Sequence, residues 1–350
     1  MARSFFDFFP TPRFLEMPAT GLSITDAGVR LVEFKKQSGV LTISQSGEAL
    51  FPEGSIQSGN IINPEAVVTV LKELKKQHDI EYVRSTLPEE RAYLFRTKLI
   101  NSPDRDLDTS IEFSIEENVP ISVSEAVFDY AILSKTMGQG GEEVIDATVS
   151  VISQVVVEEY LELLNKAGLN PLHFEVESQA ISKSVVPMDM HVPMLIINVG
   201  KNKVGLYIVA DRCVIFSSTV TSSLPEISTY TSDIKFLSKD GTGDANPSTQ
   251  IYIGLESAIT EIKKIFLYWQ TLAERDGKSA LPIDRAIICG DEGARTGLAD
   301  FFSKRLNIKV ELANVWVNAF NFHEYVPDIP LEKSLGYASA VGLALPRSEN

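Results

Sequence analysis

The chain has 350 residues, 44% of them hydrophobic, which suits two or three domains with proper cores and not a disordered polymer. Its net charge of −15 sets up a field that repels a phosphate backbone, which argues against nucleic acid as a partner. Two cysteines without a C-x-x-C pair, and four scattered histidines, offer no metal-ligand spacing; no apolar run is long enough to span a membrane.

The chain begins MARSFFDFFPTPRFLEMP, two phenylalanine pairs followed by Pro10 and Pro12, which stop a helix. It is too short and too interrupted for a signal peptide. Its phenylalanines either pack on their own domain or form an exposed foot for a membrane surface or a partner. The stretch GLSITDAGVRLVEF, from Gly21, alternates apolar residues on both sides of a polar turn and predicts a hairpin, with VLTISQSGEAL as a third strand. NPEAVVTVLKELKKQ predicts a helix capped by Asn63, with Pro64 in its first position and Val67, Val68, Leu71 and Leu74 on its buried face. YVRSTL and AYLFRTKLI are strand-like.

From about Glu81 to Lys166 lies a distinct α+β block that reads as an insertion. It holds the acidic helix IEFSIEENV, two strands around the glycine-rich MGQGGEE, and the helix VVVEEYLELLNKA with Gly168 after it as a C-terminal cap. MLIINVGKNKVGLYIVADRCVIFSSTV predicts three more strands. LSKDGTGDANPSTQ reads as an exposed loop and LESAITEIKKIFLYWQTLA as an amphipathic helix. RAIICGDEGARTGLADFFSKRL predicts strand, glycine loop and helix, and SLGYASAVGLAL a closing helix of small residues suited to close packing. GLSITDAGVRLVEF and IINVGKNKVGLYIV share one shape and begin half a chain apart, so the pattern suggests a duplicated α/β domain, although two unrelated hairpins can look this similar.

A hairpin loop binds phosphate when its N–H groups point inward and glycine lets the phosphate come close; a carboxylate nearby then holds Mg²⁺. The first turn offers Thr25, Asp26, Ala27 and Gly28, the second Gly200, Lys201, Asn202 and Lys203, and a third loop, CGDEGA, lies before a helix. Ordinary hairpins and strand–helix loops use the same residues, so each alone is weak.

These loops, with IEFSIEENVPISVSEAVFDYAIL, VVVEEYLELLNKAGLNPLHFEVESQAI, ITEIKKIFLYW and GYASAVGLAL, resemble the type IV pilus assembly PilM proteins, members of the actin-like ATPase superfamily beside the division protein FtsA. The resemblance runs from about Gly21 to Leu345. It implies an α/β fold of duplicated actin-like (RNase H-like) domains flanking a nucleotide cleft, with an inserted small α+β subdomain. The implied divisions are an N-terminal segment 1–20, subdomain 1A at 21–80 and 167–192, 1C at 81–166, 2A at 193–230 and 281–350, and 2B at 231–280.

The family's nucleotide loops depart here from their pattern. Ser23 stands in the acid position of the first and Thr25 in its glycine position, with Asp26 one step past. Asn198 replaces the acid of the second, although Gly200 remains. Gly290 of the adenosine loop is followed by Asp291 and Glu292 before Gly293 and Ala294. Ser23 and Asn198 carry no charge to hold a dication, and Asp291 and Glu292 add negative charge where a triphosphate would approach; two like charges ~4 Å apart repel by roughly 4 kcal/mol at an effective dielectric of about 20. Lys201 and Lys203 offset part of this, as do Lys263 and Lys264, which fall where the family's helix nears the base and ribose. The expectation is ATP with Mg²⁺ bound weakly or not at all, and little or no hydrolysis.

The resemblance further implies a cytoplasmic protein at the inner face of the cytoplasmic membrane, binding the N-terminal peptide of a PilN-like membrane protein and meeting other pilus platform proteins. Phe113, Ile115 and Phe128 of the insert are the candidate peptide contacts. An active ATPase or nucleotide-gated adaptor of the same superfamily, and an FtsA-like division or filament protein, are the alternatives; the absence of an amphipathic tail after LALPRSEN disfavours the last.

Overall fold

The computed structural model describes residues 19–37, 39–101, 106–138, 141–221, 247–275 and 281–346. The N-terminal phenylalanines, and all of the LSKDGTGDANPSTQ loop before Pro247, lie outside the described residues.

Two five-stranded sheets carry the fold. The first contains β1 (Thr20–Ile24), β2 (Gly28–Gln37), β3 (Val40–Leu50), β6 (Tyr82–Leu87) and β10 (Asn170–Val176), in the order β10-β6-β1-β2-β3. The short pair β4 (Ile56–Gln57) and β5 (Asn60–Ile61) stands apart from it. The second contains β11 (Met194–Val199), β12 (Lys203–Ala210), β13 (Cys213–Thr221), β14 (Arg285–Cys289) and β15 (Lys309–Leu312), in the order β13-β12-β11-β14-β15. Read from the opposite end, the second order matches the first strand for strand. In each, a first strand pairs antiparallel with its hairpin partner and parallel with the strand on its other side. The turns match too: Thr25 N–H donates to Gly28 O at 2.9 Å, and Gly200 N–H to Lys203 O at 2.9 Å. The two hairpins are therefore equivalent parts of a duplicated unit.

Helices fill three layers around these sheets. The outer face of the first sheet is covered by α1 (Pro64–His78) and α3 (Gln154–Ala167). In α1, Asn63 Oδ1 accepts from Ala66 N–H at 3.2 Å and Asp79 closes the far end at φ +49°. Val67, Val68, Leu71 and Leu74 are its buried face, each stabilising the fold by roughly 2 kcal/mol. The outer face of the second sheet is covered by α5 (Pro247–Arg275) and α6 (Leu298–Leu306). The long helix α5 starts earlier than its amphipathic stretch, and Leu255, Ile259 and Ile262 lie in its core with Phe266 and Trp269 packed against it.

Between the sheets lies a thin layer made by α4 (Glu177–Val185) and α8 (Ala338–Ala344). The closing segment is not one helix: α7 (Leu331–Ser334) leads through a tight turn, Leu335–Tyr337, into α8. Small residues let this layer be thin. A Cβ on Gly21 of β1 would lie 2.1 Å from Ala340 O, and one on Gly342 would lie 1.7 Å from Ala180 O. Leu22 and Ile24 face the outer core while Gly21 and Ser23 face α8, the ordinary alternation of a strand.

The insert is narrower than the 81–166 block expected from sequence. Its own sheet has β7 (Ala92–Asn101), β9 (Glu143–Ser153) and β8 (Ala126–Met137), in the order β7-β9-β8, packed on α2 (Leu107–Asn118). Tyr82–Leu87 pairs with β1, and Val156, Tyr160, Leu163 and Leu164 are core residues of the first sheet, so both flanking elements belong to that layer.

The clash at Gly342 is with backbone, which no side-chain rotation relieves. Gly342→Val should lower unfolding stability by about 3 kcal/mol, read as a shifted urea midpoint. An unchanged midpoint would show that the two central helices do not approach this closely.

Candidate functional site

The three loops singled out in the sequence converge where the two sheets face each other. Thr25, Asp26 and Ala27 of the first hairpin, Gly200, Lys201 and Asn202 of the second, and Gly290 and Asp291 after β14 line one cleft. The space between them is about 50 Å³, against the roughly 300–1,000 Å³ of sites that hold small organic ligands. It has room for a few waters.

Charged side chains of the protein itself bridge this gap. Arg30 of β2 reaches Asp291 Oδ1 at 2.5 Å and Glu48 Oε2 at 3.2 Å, and donates to Gly336 O at 3.4 Å. Gly336 leaves room for this pair, since a Cβ there would lie 2.5 Å from Asp291 Oδ1 and displace the two side chains. Burial pushes the Asp291 carboxyl up, against the pull of Arg30. On the other side, Lys203 Nζ lies 2.8 Å from Glu90 Oε1 and 3.1 Å from Glu177 Oε2. Burial alone would lower the Lys203 pKa, but Glu177 and Glu90 outweigh it and hold the ammonium above its ordinary range.

The loop groups are also committed. Asp26 Oδ2 accepts from Ser58 N–H at 2.7 Å and its Oδ1 from Gly59 N–H at 3.1 Å, so its carboxylate pins the β4–β5 turn. Gly290, at φ +93°, donates to Leu335 O at 3.0 Å, and Glu292 N–H donates to Val199 O at 2.9 Å. Asn198 is buried and its amide donates to Glu177 Oε1 at 3.3 Å. Ser23 is buried under α8, its hydroxyl 2.7 Å from that of Ser339.

Ser23, Gly28, Gly293, Lys263 and Lys264 do not line the cleft. Gly28 starts β2 and faces Ala49 O; Gly293 turns back on Cys289 O; Lys263 and Lys264 are exposed on α5, where Lys264 pairs with Glu261 at 3.1 Å. Sequence reasoning did not single out Arg30, Glu90 or Glu177. The signal for Arg30 was an arginine within the apolar strand GVRLVEF. Among the described residues no group of three or more acids, cysteines or histidines is arranged to hold a metal ion.

A second, larger concavity of about 760 Å³ lies between the insert and the first sheet. Three consecutive residues of β8, Val127 to Asp129, and four of β10, His173 to Val176, line it. Residues from both faces of each strand meet the groove, and both strands are outermost in their sheets, so it receives two strand edges. Phe128 lies in this groove. Phe113 is 52% exposed on α2, while Ile115 is wholly buried in the core of the insert and reaches no surface.

Two like α/β halves around a cleft, joined by a central helical layer and carrying a small insert on the first half, define the actin-like fold. A family model described as type IV pilus assembly protein PilM matches residues 21–221. That is more than half of the chain, which belongs to the PilM family. A solved PilM–PilN type IV pilus biogenesis complex matches with a TM-score of 0.73 and 19% identity, over 95% of this chain and 98% of that one. The ethanolamine utilization protein EutJ from Carboxydothermus hydrogenoformans follows at 0.48 and 12%, over 96% and 90%. MreB5 of Spiroplasma citri bound to ADP gives 0.44 and 12%, over 86% and 93%. No curated protein matches the chain in sequence.

Beside the cleft, burial raises the Glu89 carboxyl, although Ser178 N–H donates to it at 2.9 Å. A carboxyl raised in the folded state contributes stability that is complete below the ordinary carboxylate range and lost as pH rises through its raised value. Glu89→Gln should therefore gain stability over the wild type as pH rises from acid to neutral, by up to ~1.4 kcal/mol per pH unit within that window. Urea midpoints at several pH values test this; a difference independent of pH would contradict it.

Proposed function

We propose that this protein is a cytoplasmic component of the type IV pilus assembly platform that holds the N-terminal peptide of a PilN-like inner-membrane protein, and whose cleft turns over little or no ATP. The observation that carries this reading is the contrast between the two concavities. The inter-sheet cleft is reduced to about 50 Å³ and bridged by the protein's own ions, while the groove beside the insert offers about 760 Å³. Membership of the PilM family supplies the assembly, and the solved PilM–PilN complex supplies a partner of this kind.

The groove suits an extended peptide. Leu87, Val151, Ile152, Phe174, Val176 and Leu343 give it apolar walls, and the outer edges of β8 and β10 offer backbone groups to a strand laid between them. Side-chain pockets then set register and main-chain hydrogen bonds add affinity. No described helix is long and apolar enough to cross a membrane, so in this reading the peptide and the platform proteins carry the membrane association.

For ATP, the retained glycines Gly200 and Gly290 do not compensate for lost carboxylates. Ser23 and Asn198 are buried in hydrogen bonds with Ser339 and Glu177, and Asp26 is committed to the Ser58–Gly59 turn. In this reading the described carboxylates of the cleft, Asp26, Glu177 and Asp291, are held by the Ser58–Gly59 turn, Lys203 and Arg30 and are not left to orient Mg²⁺ and an attacking water.

Val127 lines the groove and is 43% exposed, so it can be changed without opening a core. Val127→Asp should weaken binding of a synthetic PilN-like N-terminal peptide at least tenfold, or ~1.4 kcal/mol, with unfolding unchanged. Fluorescence anisotropy reads the affinity; full affinity in the folded variant would remove the peptide from this groove.

A further inference from the structure

Arg30 and Asp291 belong to different halves of the molecule. Arg30 stands on β2 of the first sheet, and Asp291 follows β14 of the second. Both line the cleft, both side chains are 19% exposed, and they meet at 2.5 Å. The remaining contacts of Arg30 lie to either side: Glu48 on the neighbouring strand, Gly336 O, and the Tyr337 ring with its centroid 5.6 Å from Cζ.

We infer that Asp291 is an internal anion, seated on Arg30 in the place of a polyphosphate group, and that it keeps shut an anion site of which Arg30 and Lys201 are the basic walls. A carboxylate and a phosphate present oxygens to a guanidinium in the same forked geometry, so they compete for one set of donors. Lys201 is exposed at the mouth of the same cleft. Lys203 is not part of the released site, because Glu90 and Glu177 already neutralise it. Gly336 completes the device: with no Cβ it leaves the gap that the Asp291 carboxylate enters. Withdrawing the carboxylate does two things together. It releases the Nη1 end of the guanidinium, whose Nε stays on Glu48, and it removes one negative charge from the cleft lining.

This deepens the cleft half of the proposed function and leaves the peptide groove untouched, since neither Arg30 nor Asp291 lines that groove. Asp291→Asn keeps the shape and removes the charge. Calorimetric titration with Mg-ATP, and separately with inorganic tripolyphosphate, should show at least tenfold tighter binding to the variant than to the wild type. A gain with either probe supports the proposal. Adding Arg30→Gln should abolish the gain. The charge swap Arg30→Asp with Asp291→Arg restores a pair across the cleft; it should fold and bind as weakly as the wild type, which keeps the test open if the single variant proves unstable. An Asp291→Asn protein that is folded but binds no better, a double variant that retains the gain, or a swapped protein that binds like Asp291→Asn would each overturn the proposal. PilN-like peptide binding measured on the same samples separates the two readings: its loss in every sample, wild type included, condemns the groove and not the cleft.

Discussion

The close approach of α8 to β1 and α4 is the constraint on which the rest of the structure depends. Gly21 and Gly342 meet backbone carbonyls at distances that exclude any side chain, and Ala340 and Ala344 complete the contact. A central layer this thin brings the two sheets near enough for Arg30 to reach Asp291 and for Lys203 to reach Glu90. It also buries Ser23, which faces α8 because Leu22 and Ile24 face the outer core. The narrow cleft follows from this packing.

The same two helices serve both concavities. Glu177 and Ile181 of α4, with Ala338 and Ser339 of α8, line the cleft, while Gln179 and Lys183, with Gly342 and Leu343, line the groove. The groove wall is thus part of the most tightly packed region of the molecule. A pre-formed wall lowers the ordering cost of binding an extended peptide. The ion pairs across the cleft tie the two halves together, and a partly buried pair is screened less than one on the surface.

Much of this was legible in the residues. Alternation gave every strand of the two hairpins, Asn63 and Pro64 marked the start of α1, and the repeated strand–turn–strand shape suggested a duplication that two unrelated hairpins could equally have mimicked. The placement of the three loops around one cleft followed from the family resemblance. What was not legible depends on contacts remote in sequence. Whether Asp26 faces a ligand or the Ser58–Gly59 turn is decided by a second hairpin 32 residues on. Arg30 joins the site only because Asp291 and Gly336, far along the chain, close on it. Ile115 and Phe128 look alike as apolar residues of the insert, yet one fills its core and the other lines the groove. The insert's limits were read too widely because local pattern does not say which sheet a strand joins; Tyr82–Leu87 is strand-like in either setting, and only its pairing with β1 assigns it.

The central claim is that partner capture belongs to the groove and does not wait on nucleotide. Calorimetric titration of a PilN-like N-terminal peptide into the wild-type protein, first without nucleotide and then with millimolar Mg-ATP, tests it most directly. The account predicts one site per chain and the same Kd, within about twofold, in both conditions. Peptide binding that appears only with Mg-ATP, or tightens tenfold or more in its presence, would contradict it.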